Sequence, residues 1–364
     1  MTSLPPLPAL DPERFSTAPL LKRLNRASRV LAELKGVAAS IPNQSILINT
    51  LGIQEAKDSS AIENIITTHD ELFQDDAADG GSPQAKEVRR YREALYAGFE
   101  EVRRTGLLTN RHIQRIQARL EHTDAGFRKV PGTVLRNSAG ETVYTPPSPE
   151  RVQPLMGDLE RFVNDDPAFE ADPLIRMALI HYQFESIHPF YDGNGRTGRI
   201  VNVLYLVREG LLTIPVLYMS RQIVRTKAEY YRRLQAVRDE DAWEAWVEYM
   251  LGVIERTAGE AIDTIGAIRA AQRDYQDRIR ARHRFYSQDL INNLFTHPYT
   301  KIDFMRQDLQ VTRVTATKYL DALVADGFLE KRRIGRSNYY VNVALNDILT
   351  GEAMTDGNPE VRAP

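Results

Sequence analysis

The chain has 364 residues, 42% of them apolar and 26% charged, with a formal net charge of -2 and no cysteine. That length implies two or three cooperating units with a real core, and the small net charge gives no global field to draw the chain to nucleic acid or membrane. Disulfide frameworks, thiolate zinc sites and cysteine nucleophiles are excluded together, which fits a reducing cytoplasm.

The first residues lack a basic stretch followed by an apolar run, and no later window approaches 18 uninterrupted apolar residues, so a cytoplasmic protein without membrane spans is expected. Leu4 to Pro8 is expected to lie extended, because proline restricts itself and the residue before it. Leu20, Leu21, Leu24, Val30, Leu31 and Leu34 recur at helical spacing, and the pattern persists to about Phe73 with a helix continuing past Ser59. Asp75 to Pro83 reads as a loop. Helices are predicted for Lys86 to Val102 and Asn110 to Glu121.

Between Gly126 and Pro149 the texture changes to short β-branched and aromatic runs. Thr133 to Leu135 and Thr142 to Tyr144, around the turn Asn137 to Gly140, predict a β-hairpin lying on the helices or awaiting a further strand. Helices return at Glu150 to Val163, and then from the cap Asp172-Pro173 to about Ser186. Arg199 to Glu209, Lys227 to Glu240 and Trp243 to Arg284 follow. Three short helices, Ser287 to Thr296, Ile302 to Leu309 and Val314 to Asp326, then precede two strand-like runs within Gly327 to Val343.

Chemistry concentrates in His188 to Arg199, HPFYDGNGRTGR. Gly193, Asn194 and Gly195 permit a tight turn with backbone N–H groups aimed at phosphate, beside a helix N-terminus. Arg196 and Arg199, three apart, are expected to project to one side and take successive phosphates. Asp192 is a hard oxygen ligand suited to magnesium, and His188 has the ordinary pKa of a general base. Gly193, Gly195 and Gly198 also satisfy the spacing GxGxxG, but a dinucleotide turn follows a strand, and here the preceding residues are helical.

This segment resembles the motif H-P-F-x-[D/E]-G-N-G-R-x-x-R of the Fic (Fido) family and matches every defined position, with a likeness extending over about residues 10 to 255. The resemblance implies a mostly α fold: a Fic-type helical core with a β-hairpin flap, an N-terminal helical region and a C-terminal winged helix-turn-helix. The divisions it suggests are 1–106 for the N-terminal region, 107–255 for the catalytic core with flap 133–147, 256–283 for a linker helix, 284–350 for the winged helix and 351–364 for a tail. It implies a protein adenylyltransferase that moves AMP from ATP, with Mg2+, onto a Ser, Thr or Tyr hydroxyl of a target protein or of itself. His188 would deprotonate the hydroxyl and Asp192 hold the metal, while Gly193, Asn194, Gly195, Arg196, Thr197, Gly198 and Arg199 bind the phosphates. Phe190 is expected to anchor the loop.

Ser59-Ser60-Ala61-Ile62-Glu63-Asn64 resembles the family's inhibitory motif [S/T]-x-x-x-E-[G/N]. Ser59, Glu63 and Asn64 are thus candidates for autoinhibition, with Glu63 pairing Arg199 in place of the γ-phosphate. The hairpin matches the flap in position, so Val143, Tyr144 and Thr145 are candidates for docking a target strand. Arg225, Tyr230 and Tyr231 are candidates for the adenine side, with core packing of one tyrosine as the alternative.

In the C-terminal module, Thr312 to Asn342 carries Arg313, Lys318, Lys331, Arg332, Arg333 and Arg336 against Asp321, Asp326 and Glu330. Arg313, Thr315, Thr317 and Lys318 could face DNA, or the module could dock a protein or form a homodimer. Two other functions stay open: an ATP-sensing DNA-binding regulator, and an enzyme in which Glu63 also serves to remove AMP.

Overall fold

Helices make up most of the chain, as its periodicity predicts. The computed structural model describes residues 4, 7–41, 43–68, 71, 82–136, 139–165, 169–334 and 337–351, the side chains of 8, 165, 334 and 337 excepted. Pro5, Pro6, Phe73, the loop at 75–81, Asn137, Ser138, Gly335, Arg336 and the tail at 352–364 lie outside them. Among the described residues no helix is long and apolar enough to cross a membrane.

The described end of the Leu4 to Pro8 stretch is not extended as expected: Leu7–Ala9 forms a 3-10 turn, and Leu7 is buried. Helix α1 (Ala18–Ala39) buries Leu20, Ala27, Leu31, Leu34 and Ala38 on one face. It packs along the 40-residue α10 (Trp243–Arg282). The helical run read from Pro19 onward is broken between Ala39 and Ser45, where α2 (Ser45–Ile62) begins.

Helix α2 is buried on nearly every side, and its buried set includes Thr50, Gln54, Glu55, Ser59 and Ser60. A helix so enclosed gains little from amphipathicity and must satisfy polar groups internally. Next come α3 (Pro83–Thr105), α4 (Asn110–Glu121) and α5 (Pro149–Asp165). The central pair is α6 (Pro173–Ile187) and α7 (Asn194–Arg208). Asp172 caps α6 by accepting the Leu174 N–H at 2.8 Å, and Pro173 takes its first position. Helix α7 starts at Asn194 rather than Arg199, so the glycine turn leads directly into its first turn. Trp246 of α10 donates its indole N–H to the Ala178 carbonyl at 2.8 Å and ties α10 to α6.

The hairpin is present but small. Strands β1 (Leu135–Arg136) and β2 (Thr142–Tyr144) pair antiparallel in two register pairs, Leu135 with Tyr144 and Arg136 with Thr142. Helix α8 (Ser220–Arg225), which periodicity did not suggest, precedes α9 (Lys227–Glu240).

The C-terminal unit runs α11 (Gln288–Thr296), β3 (Tyr299–Thr300), α12 (Ile302–Leu309), α13 (Arg313–Ala325), β4 (Leu329–Ile334) and β5 (Ser337–Asn342). Its antiparallel sheet has the order β3-β5-β4. Strand β3 was not anticipated, being two residues long. Helix α14 (Val343–Thr350) was not anticipated either, and packs with α11 against α2. Gln54 in the middle of α2 donates to the Leu349 carbonyl at 2.6 Å in a buried contact. Tyr275 of α10 holds the unit from below, donating to the Phe328 carbonyl at 2.8 Å with its ring edge-on to Phe295 and Phe328.

Candidate active site

The loop between α6 and α7 carries the motif. His188 ends α6 in the left-handed conformation, with φ 49°, and its N–H still donates to the Phe184 carbonyl at 3.0 Å. Phe190 is fully buried against Phe127 and Phe184 and anchors the loop as expected. Asn194 closes the loop on itself: its Oδ1 accepts the Phe190 N–H at 2.8 Å and its Nδ2 donates to the Phe190 carbonyl at 3.0 Å. Its side chain is therefore committed to loop shape.

Gly193 has φ 75°, and a Cβ there would collide with the Glu121 carboxylate. A Cβ on Gly195 would collide with the Glu63 carboxylate and reach Arg199 Nη1 at 3.0 Å. Both glycines are thus required by conformation or close approach. Thr197 is buried, and Gly198 lies over Phe184 and the Glu185 carboxylate.

The two motif arginines do not share a partner. Arg196 is buried between acids of α3 and α4, with Nη1 2.6 Å from Glu87 Oε2 and Nη2 2.8 Å from Glu121 Oε1. Arg199 is also buried, but against the end of α2. Its Nε donates to Ser59 Oγ at 2.8 Å, and its Nη2 donates to the Ser59 carbonyl and to Glu63 Oε1, each at 2.9 Å.

The end of α2 explains the residue that follows Glu63. Asn64 adopts φ 63°, and the Ile65 N–H reaches back to the Ser60 carbonyl at 3.0 Å. A helix closed this way needs a left-handed residue, which asparagine tolerates. Asn64 Oδ1 also accepts from Lys227 Nζ at 3.1 Å, and the same ammonium donates to the Ile62 carbonyl at 2.6 Å. The Glu63 carboxylate is thereby presented to Arg199 and to the turn at Gly195.

His188 is largely enclosed. Burial, then the Arg128 guanidinium, push its imidazole down to about 4, so it is neutral at ordinary pH and able to accept a proton. Asp192 is exposed; its Oδ1 accepts the Gly193 N–H at 2.7 Å. Among the described residues no three acidic, His or Cys groups cluster as a metal site. One exposed carboxylate fits a magnesium ion whose other ligands are phosphate oxygens and water.

The remaining candidates separate. Tyr230 lies in the core, its hydroxyl 2.9 Å from His181 Nε2 and its ring beside Trp246, so the core-packing alternative describes it. Tyr231 is 47% exposed, and burial and the Glu63 carboxylate raise its phenol to about 12. Arg225 turns away to an ion pair with Glu260 of α10. In the hairpin, Val143 and Thr145 are exposed, whereas Tyr144 points inward and donates to the Ser186 carbonyl at 2.9 Å.

Several residues escaped the sequence reading. Arg128 joins flap to motif: its side chain donates to the carbonyls of His188 at 2.8 Å, Ile187 at 3.2 Å and Pro147. Glu185 is a buried carboxyl that burial raises to about 7 despite Arg199. Glu55 is similar, raised by burial to about 7 and holding Tyr91 Oη at 3.0 Å and the Ser220 hydroxyl and N–H. Both are lone acids in otherwise uncharged helical runs, QFESI and GIQEA, which is the signal that could have found them.

Three family models match in succession: Fic/DOC family N-terminal over residues 21–100, Fic/DOC family over 107–206, and Protein adenylyltransferase SoFic-like, C-terminal domain over 272–345. This chain belongs to the Fic family. Protein adenylyltransferase fic-1 of Caenorhabditis briggsae is 32% identical over 130 residues, 33% of this chain and 24% of that protein. The Caenorhabditis elegans protein of that name is 41% identical over 91 residues, 25% of this chain and 17% of its own length. The matches thus take in about a quarter or less of those relatives. Among solved structures, a Fic family protein from Desulfovibrio desulfuricans G20 superposes with TM-score 0.56 at 22% identity, covering 90% of this chain and 96% of that one. Fic-1 of C. elegans gives 0.51 at 23%, covering 69% and 75%. Their likeness bears out the mostly helical Fic fold.

Proposed function

We propose that this chain is a protein adenylyltransferase held off by its own helix α2. In the reaction, His188 accepts the proton of a Ser, Thr or Tyr hydroxyl, whose oxygen attacks the α-phosphorus of ATP. The new bond is a phosphodiester to AMP; the bond to the β-phosphate oxygen breaks and pyrophosphate leaves. Both a second protein and the chain itself are candidate acceptors. The turn from Gly193 to Gly195 and the first turn of α7 offer backbone N–H groups to the phosphates. Arg199 is assigned the γ-phosphate, and Arg196 serves once released from Glu87 and Glu121, or else shapes the loop. Asp192 would hold magnesium, which supplies charge neutralisation on the phosphates.

The observation that carries the inhibited reading is the 2.9 Å contact between Arg199 Nη2 and Glu63 Oε1, with the same carboxylate packed over Gly195. ATP and Glu63 compete for one guanidinium, so nucleotide binds without its reactive pose. Transfer from α-labelled ATP to protein tests this. His188→Ala is expected to abolish labelling, and Glu63→Gly to raise it at least about tenfold, the equivalent of ~1.4 kcal/mol at the transition state. Equal labelling by Glu63→Gly and the parent would sink the inhibition. Release of AMP from pre-labelled protein by the parent but not by Glu63→Gly would add the removal activity.

A second reading concerns the C-terminal unit. Its element order is that of a winged helix, and at the start of α13 Val314 is 80% exposed between Arg313 and Thr315, a side chain suited to a thymine methyl group. Against it, Arg313, Lys331 and Arg332 already face Asp303, Asp321 and Glu330. A gel shift with and without ATP separates an ATP-sensing DNA binder from a unit that docks protein or a second copy of the chain.

A further inference from the structure

The hairpin has two register pairs, too few to hold its own position in water. Beyond the Arg128 contact at Pro147, its hold on the core comes through Tyr144, and the group that covers Tyr144 is Arg238, in the last turn of α9. The Arg238 guanidinium carbon sits 3.8 Å from the centre of the Tyr144 ring and 5.9 Å from that of Tyr182. Its Nη1 donates to Gln235 Oε1 at 3.1 Å, Nη2 makes a long contact with Ser186 Oγ at 3.5 Å, and its Nε is buried without a hydrogen-bond partner.

Among the described residues Arg238 forms no ion pair. A guanidinium enclosed without a carboxylate needs another source of stabilisation, and the face of an aromatic ring provides it. Below the ring, the Tyr144 hydroxyl donates to the carbonyl of Ser186, two residues before His188. Arg238, Tyr144 and Ser186 thus form a continuous stack from α9 through the flap to the end of α6.

We infer that Arg238 is a positioning residue that sets the height of strand β2 over His188, and so places the hydroxyl of a docked strand for transfer. Because alternate side chains of a strand face opposite ways, clamping Tyr144 inward leaves Val143 and Thr145 facing outward, where both are exposed. The docking edge is then built on a cation and a ring rather than on further strands. The inference rests on the adenylyltransferase reading and adds to it a residue outside the motif and outside the hairpin.

The experiment uses the full chain carrying Glu63→Gly, with three readouts. They are transfer of α-labelled AMP to soluble lysate proteins, conversion of ATP to AMP by water without acceptor, and hydrogen exchange of the amides of residues 142–145. Arg238→Ala is expected to cut protein labelling about tenfold and to speed hairpin exchange about tenfold, as a lost cation–π anchor and a locally opened element would. ATP affinity and the water reaction should stay within about twofold, because the nucleotide contacts are untouched. Arg238→Lys keeps a cation over the ring and should recover part of the labelling, and it guards against a variant that does not fold. Unchanged exchange with unchanged labelling overturns the inference. So does a fall in ATP affinity or in the water reaction that matches the fall in labelling. Absence of label with the Arg238-intact chain indicts the adenylyltransferase reading instead.

Discussion

The two sides of the motif loop are built to different standards. On the α2 side, Arg199 meets Ser59 and Glu63 through three hydrogen bonds, and one helical turn earlier Glu55 joins α2 to Tyr91 of α3 and Ser220 of α8. On the flap side, two register pairs and a ring under a guanidinium hold a strand whose neighbours are exposed. The α2 side, apart from Glu63 and Asn64 at its end, is core, and the flap side is surface. A buried helix gripped at several points has few open states, while a short hairpin has many, so on the proposed reading inhibition is the resting condition and target placement the adjustable one.

The largest effect expected from this contrast lies between the two sides, at His188. Burial and Arg128 depress its imidazole to about 4, so the neutral base persists far below the usual range. For the Glu63→Gly chain, kcat/KM for protein labelling at pH 5 should stay within about twofold of its value at pH 7, where an unshifted imidazole would lose roughly 25-fold. An acid limb near pH 6.5 would mean that the flap side opens enough in solution to hydrate His188. That would extend the contrast from docking to the base itself.

On the α2 side the sign runs the other way. Glu55 has a folded pKa near 7, raised by burial, so the folded chain holds a proton that the unfolded chain releases. Its contribution to stability is complete below about pH 4.5 and is lost as pH rises through 7. His181 and His188, both depressed by burial, oppose this by losing stability as pH falls below about 6.5. Comparing parent with Glu55→Gln isolates the carboxyl: the parent's advantage in unfolding free energy should shrink by on the order of 2 kcal/mol between pH 5 and pH 8. A constant difference across that range would show that water reaches Glu55, and that the α2 side is less enclosed than its hydrogen bonds indicate.

How much of this was legible in the sequence follows the same division. The motif from His188 to Arg199 and the pair Ser59 and Glu63 stand together in space because spacing along two helices fixed which side chains could meet. The direction of Arg196 was not legible, since its partners Glu87 and Glu121 lie on α3 and α4, far from it in sequence. Tyr230 and Tyr231 are adjacent in sequence and opposite in fate, because burial depends on what packs against α9 and not on α9 itself. Helix α8, strand β3 and helix α14 escaped for a different reason. Elements of two to eight residues hardly develop a hydrophobic period, and tertiary packing decides them. Arg128 and Arg238 were invisible as function because arginines in loops and last helical turns usually face solvent.

The smallest prediction tests how far the enclosed side extends. Gln54 faces the opposite way from the site and donates to the Leu349 carbonyl, so α2 is gripped by the C-terminal unit as well as by the catalytic helices. Removing a buried neutral hydrogen bond leaves the Leu349 carbonyl unsatisfied, and Gln54→Ala should lower unfolding free energy by about 1 to 2 kcal/mol. If the grip at Gln54 and the grip at Arg199 act on one rigid helix, loosening the first should also weaken the second, and labelling by the otherwise native chain should rise about twofold. If stability falls while labelling stays level, α2 behaves as two segments, with its last turn held from inside the catalytic core alone. The contrast would then narrow from a whole helix against a hairpin to one turn, Ser59 to Glu63, against it.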